Sequence, residues 1–161
     1  MLGLFMSKAS AADGLSLDAE GYIRHWVVLA PVALRDGETC AEALLKEQIK
    51  DEAALHPKAG DKVKIGGKEL VWQNITASTN YFDFNEVLKS MNDHAAGYMV
   101  TYIECERETP DVILAVASND QGRIYFNGVD IYVFTEPRPL MLDADKGRVT
   151  LKKGVNVMVF K

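Results

Sequence analysis

Short apolar segments separated by polar turns dominate this chain, a pattern typical of β-strands. The longest apolar run is Val112–Ala117, and six consecutive apolar residues predict a strand buried on both faces. The polar turn Ser118–Gly122 follows, and Arg123–Phe126 predicts the next strand. Asn127-Gly128 predicts a type I′ hairpin into Ile131–Phe134, because both central residues of that turn take positive φ. This stretch is predicted to form the centre of the fold.

Further strands are predicted on both sides of this stretch. They are expected at Tyr22–Leu34, Lys62–Ile65, Glu69–Ile75, Gly97–Glu106, Val149–Leu151 and Val155–Lys161. Pro31 limits the first of them to an edge or an end of a sheet. Gly66-Gly67 indicates a hairpin between the second and third, and Lys152–Gly154 indicates one between the last two.

Two short helices begin at recognisable capping residues. Thr39 and Glu42 have the spacing of a capping box, followed by an apolar stripe that reaches Ile49. Asp83 and Glu86 predict the start of the second helix. Long helices between successive strands are missing, which disfavours a parallel doubly wound sheet. We therefore predict an all-β fold over residues 20–161, an antiparallel β-sandwich or jelly roll with two short helices.

The composition narrows the choice of function. The 161 residues suit one domain, and their net charge is −5. A protein that binds nucleic acid through phosphates needs a basic stripe, so that class is not expected. No run approaches the ~18 apolar residues of a membrane span.

Residues 1–19 are predicted to be a leader or linker. Met1–Met6 is apolar, and Ala9-Ser10-Ala11 has the form of a signal-peptide cleavage site. A truncated signal peptide and an exported protein are expected, with a disordered N-terminus as the alternative. Cys40 and Cys105 either form a disulfide after export or remain two free thiols.

The segments SNDQGRIYFNG and VTLKKGVNVMVFK resemble the non-catalytic jelly-roll modules of the galactose-binding-domain-like superfamily. The family pattern is S-D-D-G, strand, N-G, and then L-K-K-G-x-N before a last apolar strand. The match runs from Val112 to Lys161, about a third of the chain. Asn119 replaces the first acidic residue of the turn. The chain also stops at Lys161, where the family adds another strand. A missing final strand would leave Val155–Phe160 as an unpaired apolar edge.

The resemblance implies an accessory module of an exported protein that belongs to a larger multidomain chain. Such modules accompany bacterial carbohydrate-active enzymes, so carbohydrate or a protein is the expected partner. The resemblance also implies a structural calcium ion, which requires several oxygen ligands. Asp143 and Asp145 are the candidate ligands.

Motifs of catalysis are missing from the sequence, which has no G-x-S-x-G, no P-loop and no H-E-x-x-H. We therefore expect no enzymatic activity. Asp111, Asp120 and Asp130 flank one hairpin, and Asp120 is expected to hold its own turn through backbone amides. A small hydrolase with an unrecognised carboxylate or histidine site is the least favoured alternative.

Carbohydrate binding needs aromatic platforms and a few polar side chains. The predicted ligand-binding residues are Trp26, Tyr81, Asn119, Asp120 and Arg123. Trp72 and Tyr125 are also considered, but Trp72 lies on an alternating strand and is the better candidate for the core. The alternative function is a structural or protein-interaction domain that orients a neighbouring catalytic domain.

Overall fold

The computed structural model describes residues 20–89 and 94–161. The leader and signal peptide predicted for residues 1–19 lie outside the described residues. The strands are β1 (His25–Ala33), β2 (Lys62–Ile65), β3 (Lys68–Val71), β4 (Gln73–Thr76), β5 (Ala95–Cys105), β6 (Thr109–Val116), β7 (Gly122–Phe126), β8 (Val129–Phe134), β9 (Asp145–Leu151) and β10 (Gly154–Phe160). The helices are α1 (Cys40–Leu45), α2 (Phe84–Leu88) and a 3₁₀ turn at Glu52–Ala54.

The fold is an all-β antiparallel sandwich with two short helices, which confirms the predicted class. Its main sheet has six strands in the order β4-β1-β5-β10-β7-β8. The two-stranded ribbon β6–β9 covers one face of this sheet, and the hairpin β2–β3 packs against the other. Successive residues of β5 serve the two faces in turn, since Tyr98 and Val100 belong to one core cluster and Ile103 to the other.

Both helix starts follow the sequence prediction. The Thr39 hydroxyl accepts from the Glu42 N–H at 3.2 Å, and the Glu42 carboxylate accepts from the Thr39 N–H at 3.0 Å. Asp83 accepts from two N–H groups in the first turn of α2. The predicted stripe to Ile49 is too long, because α1 ends at Leu45. With six residues, α1 is far too short to cross a bilayer, and the described part of the chain has no helix that could do so.

The Asn127-Gly128 hairpin is confirmed. Asn127 has φ of 49° and Gly128 has φ of 80°, as a type I′ turn requires, and β7 pairs with β8. Pro31 lies at an irregularity in the pairing of β1 with β5, beyond the last residue that pairs with β4. β1 does not end there, since it pairs with β5 as far as Ala33, but at Pro31 its other side has no partner among the described strands.

The prediction that Val112–Ala117 is buried on both faces is wrong. Val112, Leu114 and Val116 pack against the core, whereas Ile113 is 58% exposed. β6 belongs to the outer ribbon, where β9 is its one partner among the described strands. One of its faces therefore meets the main sheet and the other meets solvent.

The predicted final hairpin is also wrong. β9 pairs with β6 in the outer ribbon, whereas β10 lies in the main sheet between β5 and β7. Lys152-Lys153 thus connects two layers instead of closing a hairpin. Because β10 has a partner on each side, the predicted unpaired edge at Val155–Phe160 does not exist.

Candidate functional site

A groove of about 360 Å³ lies where the chain leaves β4 and enters α2. It is lined by Thr76–Thr79, Tyr81–Asp83, Glu86 and Val87, and we call it the Tyr81 groove. Tyr81 is 52% exposed, which makes it a large aromatic surface open to solvent. Among the predicted ligand-binding residues, Tyr81 is the one that lines this groove.

The backbone around Tyr81 is held by local hydrogen bonds. The Thr79 hydroxyl accepts from the Tyr81 N–H at 3.2 Å and donates to the Tyr81 carbonyl at 3.1 Å. Asp83 caps α2 through the N–H groups of Asn85 and Glu86. Thr76 and His25 are joined at 2.9 Å between Oγ1 and Nδ1. The wall of the groove is therefore fixed, while the ring of Tyr81 extends into solvent.

Three polar groups in the groove are available for hydrogen bonds to a ligand. The hydroxyls of Ser78 and Tyr81 and the carboxylate of Glu86 have no hydrogen-bond partner in the part of the chain that the structure describes. An aromatic face beside two hydroxyls and a carboxylate suits a ligand with both C–H and O–H surfaces.

Neither tryptophan contributes an exposed platform. Trp72 is 4% exposed and contacts the ring of Tyr98 edge-on, with the centroids 6.5 Å apart, so its predicted place in the core is confirmed. Trp26 is half-buried and packs against the core cluster beneath the β6–β9 ribbon.

The loop Ser118–Gly122 exposes Asn119 and Asp120, whose peptide bond is cis. Arg138 holds this loop, donating from Nε to the Ser118 carbonyl at 3.1 Å and from Nη2 to the Ser118 hydroxyl at 2.8 Å. The predicted turn bonds of the Asp120 carboxylate do not occur among the described residues. The backbone carbonyl of Asp120 instead accepts from the Ser118 hydroxyl at 3.4 Å.

Arg138 also forms a bidentate ion pair with Asp145. These hydrogen bonds hold the pKa of the Asp145 carboxyl below its usual range. The neighbouring Tyr132 hydroxyl accepts from Arg138 at 3.1 Å, and burial raises the pKa of Tyr132 to about 12. The guanidinium of Arg138 lies over the ring of Phe134, 3.9 Å from its centroid. Arg138 matches no sequence motif, because it lies in the ten-residue loop before β9 and the loop's conformation decides whether it meets Asp145.

The two aspartates predicted as calcium ligands do not fit that role. Both oxygens of Asp145 are already bonded to Arg138. Asp143 lies exposed in the same loop. Within residues 20–89 and 94–161, no three histidine, cysteine, aspartate or glutamate side chains come together as metal ligands.

Arg123 is bonded within the protein. Its Nε and Nη2 donate to Asp130 Oδ2 at 3.0 and 2.7 Å, and its Nη1 donates to the carbonyls of Leu44 and Leu45 at 3.3 and 3.1 Å. These carbonyls end α1, where a cation is favourable. Arg123 thus fastens α1 to the β7–β8 hairpin, and the atoms predicted to meet a ligand are already bonded.

A cluster of four side chains is closed to solvent beneath the segment that follows α1. Glu52 accepts from Tyr98 at 2.7 Å, from Tyr125 at 2.8 Å and from Lys161 at 3.0 Å. Lys161 also donates to the Lys46 carbonyl at 2.6 Å. We call Glu52, Tyr98, Tyr125 and Lys161 the closed cluster.

Burial shifts the titration of the closed cluster. It raises the pKa of Tyr98 and of Tyr125, and their hydrogen bonds to Glu52 add to the effect. Burial lowers the pKa of Lys161, while Glu52 opposes that shift. The cluster joins the chain after α1 to three strands of the main sheet, and a ligand has no access to it.

Four of the five residues predicted to form one ligand site fall into two places, and the fifth, Trp26, is half-buried beneath the β6–β9 ribbon. The Tyr81 groove adjoins β4, whereas Asn119, Asp120 and Arg123 lie at the start of β7. β4 and β7 are four strand spacings apart in the main sheet, which is roughly 19 Å. The structure therefore leaves two exposed candidate regions, the Tyr81 groove and the Asn119-Asp120 loop.

The two cysteines are free thiols in the structure. Cys40 is exposed, and Cys105 donates from Sγ to the Arg107 carbonyl at 2.8 Å.

No family model matches the chain, and searches of curated proteins and of solved structures find no significant match. The resemblance to galactose-binding-domain-like modules therefore stays a prediction.

Proposed function

We propose that this protein is a non-catalytic, carbohydrate-binding β-sandwich module of an exported protein, and that the sugar binds in the Tyr81 groove. The observation that carries the proposal is an exposed tyrosine ring beside unbonded hydroxyl and carboxylate groups. The ring offers a surface for the C–H face of a sugar, and the polar groups offer partners for its hydroxyls. The volume of about 360 Å³ falls within the range of small-ligand sites.

The carboxylates around the groove support binding without catalysis. Glycoside hydrolysis uses a pair of carboxyl groups on either side of the scissile bond. Asp83 is engaged in capping α2, which leaves Glu86 as the one unbonded carboxylate among the lining residues that the structure describes. The other clustered acid, Glu52, is 2% exposed and out of reach of substrate.

A glycan array followed by affinity measurement tests this proposal. Tyr81→Ala should weaken binding of the captured glycan about tenfold, because the ring face is lost. Tyr22→Ala is the matched control, since Tyr22 is also an exposed tyrosine, at 38%, and lies outside the groove. No turnover of chromogenic glycosides or esters is expected from the wild-type protein.

Two results would count against sugar binding in this groove. One is an array without a captured glycan at millimolar affinity or better. The other is equal weakening by Tyr81→Ala and Tyr22→Ala, which would mean that the groove is not the binding site.

Exposed apolar residues favour a protein-interaction domain as the second candidate. Leu140, Met141 and Leu142 are 39%, 62% and 72% exposed and follow one another in the loop between β8 and β9. The pair Arg138 and Asp145 holds both ends of this loop, so the three side chains are presented from a fixed base. Exposed apolar surface of this kind is typical of contacts with another protein.

Photo-crosslinking from the loop tests the second candidate. A photoreactive residue at position 142 should give a defined adduct in the cells that produce the protein. Val129 is 61% exposed on β8 and provides the matched control position. Equal adducts from both positions, or none from position 142, would argue against an interaction through this loop.

A further inference from the structure

A second groove, of about 270 Å³, opens between the Asn127-Gly128 turn and the turn that leads into β10. Its polar lining comes from His56, Asn127 and Lys152, and its apolar walls come from Ala53 and two valines of β10. We call it the Lys152 groove. The two segments that carry the family resemblance, N-G and K-K-G-x-N, meet at this groove.

A buried asparagine holds the two turns together. Asn156 is 0% exposed, and its Oδ1 accepts from Asn127 Nδ2 at 2.9 Å and from the Lys152 N–H at 2.8 Å. Its Nδ2 donates to the Lys152 carbonyl at 2.8 Å. Asn127 Oδ1 also accepts from the Val157 N–H at 2.9 Å. The backbone beneath the Lys152 groove is therefore rigid before any ligand arrives.

The charge of the lining has one sign. The lining residues that the structure describes include a lysine and a histidine but no carboxylate, in a chain whose net charge is −5. Neither Lys152 nor His56 forms an ion pair with a side chain in the described ranges. His56 is exposed, and its ring lies near that of the half-buried Tyr102, with centroids 6.2 Å apart. The donors in this groove are thus available to an anion.

We propose that the Lys152 groove binds the carboxylate or sulfate group of an acidic sugar. The ammonium of Lys152 and the ring of His56 would meet the anionic group, since charge-assisted hydrogen bonds favour both. Ala53 and Val155 would contact the C–H face of the same sugar ring. The proposal does not rest on the Tyr81 groove, which involves different residues next to a different strand.

Titration of the ¹⁵N-labelled protein with trigalacturonic acid, followed by NMR, tests the site. The amide signals of Gly128 and Lys152 should shift as the acid is added, whereas neutral galactotriose should leave them in place. Lys152→Gln should weaken binding about fivefold, an effect expected for one partly exposed charge. Lys153→Gln changes the net charge equally, lies outside the lining and should weaken binding less than twofold.

Three outcomes would overturn the proposal. The first is no shift of these signals at millimolar trigalacturonic acid. The second is equal weakening by Lys152→Gln and Lys153→Gln, which would indicate that the acid is attracted by surface charge in general and not by this groove. The third is equal affinity for sodium sulfate and for sulfated or carboxylated oligosaccharides, which would mean that the sugar is not recognised. Tyr81→Ala should leave this titration unchanged, so failure of one groove is distinguishable from failure of the other.

Discussion

The closed cluster and the Tyr81 groove contain the same kinds of side chain in opposite circumstances. Each includes a tyrosine hydroxyl and a glutamate. Glu52 is 2% exposed and accepts from three side chains, whereas Glu86 is exposed beside a tyrosine that is itself 52% exposed. Burial with a full set of partners indicates a role in the fold, and open polar groups beside an aromatic face indicate a role in binding.

The difference follows from the cost of removing charge from water. A buried carboxylate is destabilising unless hydrogen bonds and a cation compensate for its lost hydration. In the closed cluster, Lys161 and the two tyrosine hydroxyls provide that compensation. In the Tyr81 groove, water solvates Glu86, and a ligand can replace that water without breaking the fold. Substitutions in the two regions should therefore separate stability from binding.

The largest effect is expected from Lys161→Met, which keeps the apolar stem but removes the ammonium. It leaves the carboxylate of Glu52 buried without its cation, and losing one partner of a buried pair costs about 3–5 kcal/mol. The free energy of unfolding from urea titration measures the change. Lys153→Met, at an exposed position, should cost less than about 0.5 kcal/mol. A loss below 1 kcal/mol for Lys161→Met would mean that the closed cluster contributes little to stability.

A smaller loss is expected from Asp145→Asn in the loop before β9. The substitution removes the charge that pairs with Arg138, and a hydrogen bond to a charged group contributes about 1.5–3 kcal/mol. Asp143→Asn removes the same charge from an exposed side chain two residues earlier and should have almost no effect. Thermal unfolding of both variants measures the difference. Equal melting temperatures would show that the Arg138 contacts do not stabilise the sandwich.

The raised pKa values of four tyrosines lead us to expect that the stability of the fold falls in alkaline solution. Burial raises the pKa of Tyr102 and of Tyr132 to about 12, and it also raises the pKa of Tyr98 and Tyr125. In the unfolded chain these phenols lose their protons near pH 10. The folded state therefore binds more protons above pH 10, and stability is lost as the pH rises from about 10 through 12. The lowered pKa of Lys161 acts in the opposite direction and at lower pH, so the tyrosines dominate above pH 10.

Tyr102→Phe tests this pH dependence at one position. The phenol donates to the Pro57 carbonyl at 2.6 Å, and its loss should cost about 1 kcal/mol near pH 7. Between pH 10 and 12, urea titrations should give a shallower fall for the variant than for the wild type. Tyr81→Phe is the matched control, since it removes the hydroxyl of an exposed tyrosine. An unchanged slope for Tyr102→Phe would contradict the assigned pKa shift.

Local sequence signals predicted the local structure well. The capping residues Thr39 and Asp83, the Asn127-Gly128 turn and the alternation along β5 each depend on neighbours within a few residues. The sandwich class also followed, because short strands without crossover helices leave few other ways to bury apolar faces.

The assignment of strands to layers could not be predicted from the same signals. β9 and β10 are adjacent in sequence and look like the arms of a hairpin, yet β9 pairs with β6 and β10 with β5 and β7. Asn156 explains this geometry, since its buried amide holds the intervening turn against Asn127. The burial of Val112–Ala117 on one face could not be predicted either, because a run of apolar residues does not reveal whether a second layer covers it.

Hydrogen-bond partners far apart in sequence also determine which of the predicted site residues remain available to a ligand. The sequence places Arg123 at the start of a strand after a loop, which suggests that it is available to a ligand. In the structure it donates to the carbonyls of Leu44 and Leu45, which are 79 and 78 positions away in the sequence. Glu52 gave no signal at all, since its partners Tyr98 and Lys161 are 46 and 109 residues distant. Tyr81, by contrast, remains exposed between β4 and α2, where few long-range contacts can form.

The smallest effect on stability is expected from Tyr81→Ala. This substitution compares the tyrosine of the Tyr81 groove directly with a tyrosine of the closed cluster. Its ring is half exposed and makes no ring contact within the described ranges, so the free energy of unfolding should change by less than about 0.5 kcal/mol. The same substitution at Tyr125, which is 5% exposed and bonded to Glu52, should cost about 3–5 kcal/mol. Urea titration of both variants tests the contrast. If Tyr81→Ala destabilised the protein as much as Tyr125→Ala, the tyrosine in the groove would be a packing residue, and its exposure would no longer support a binding role.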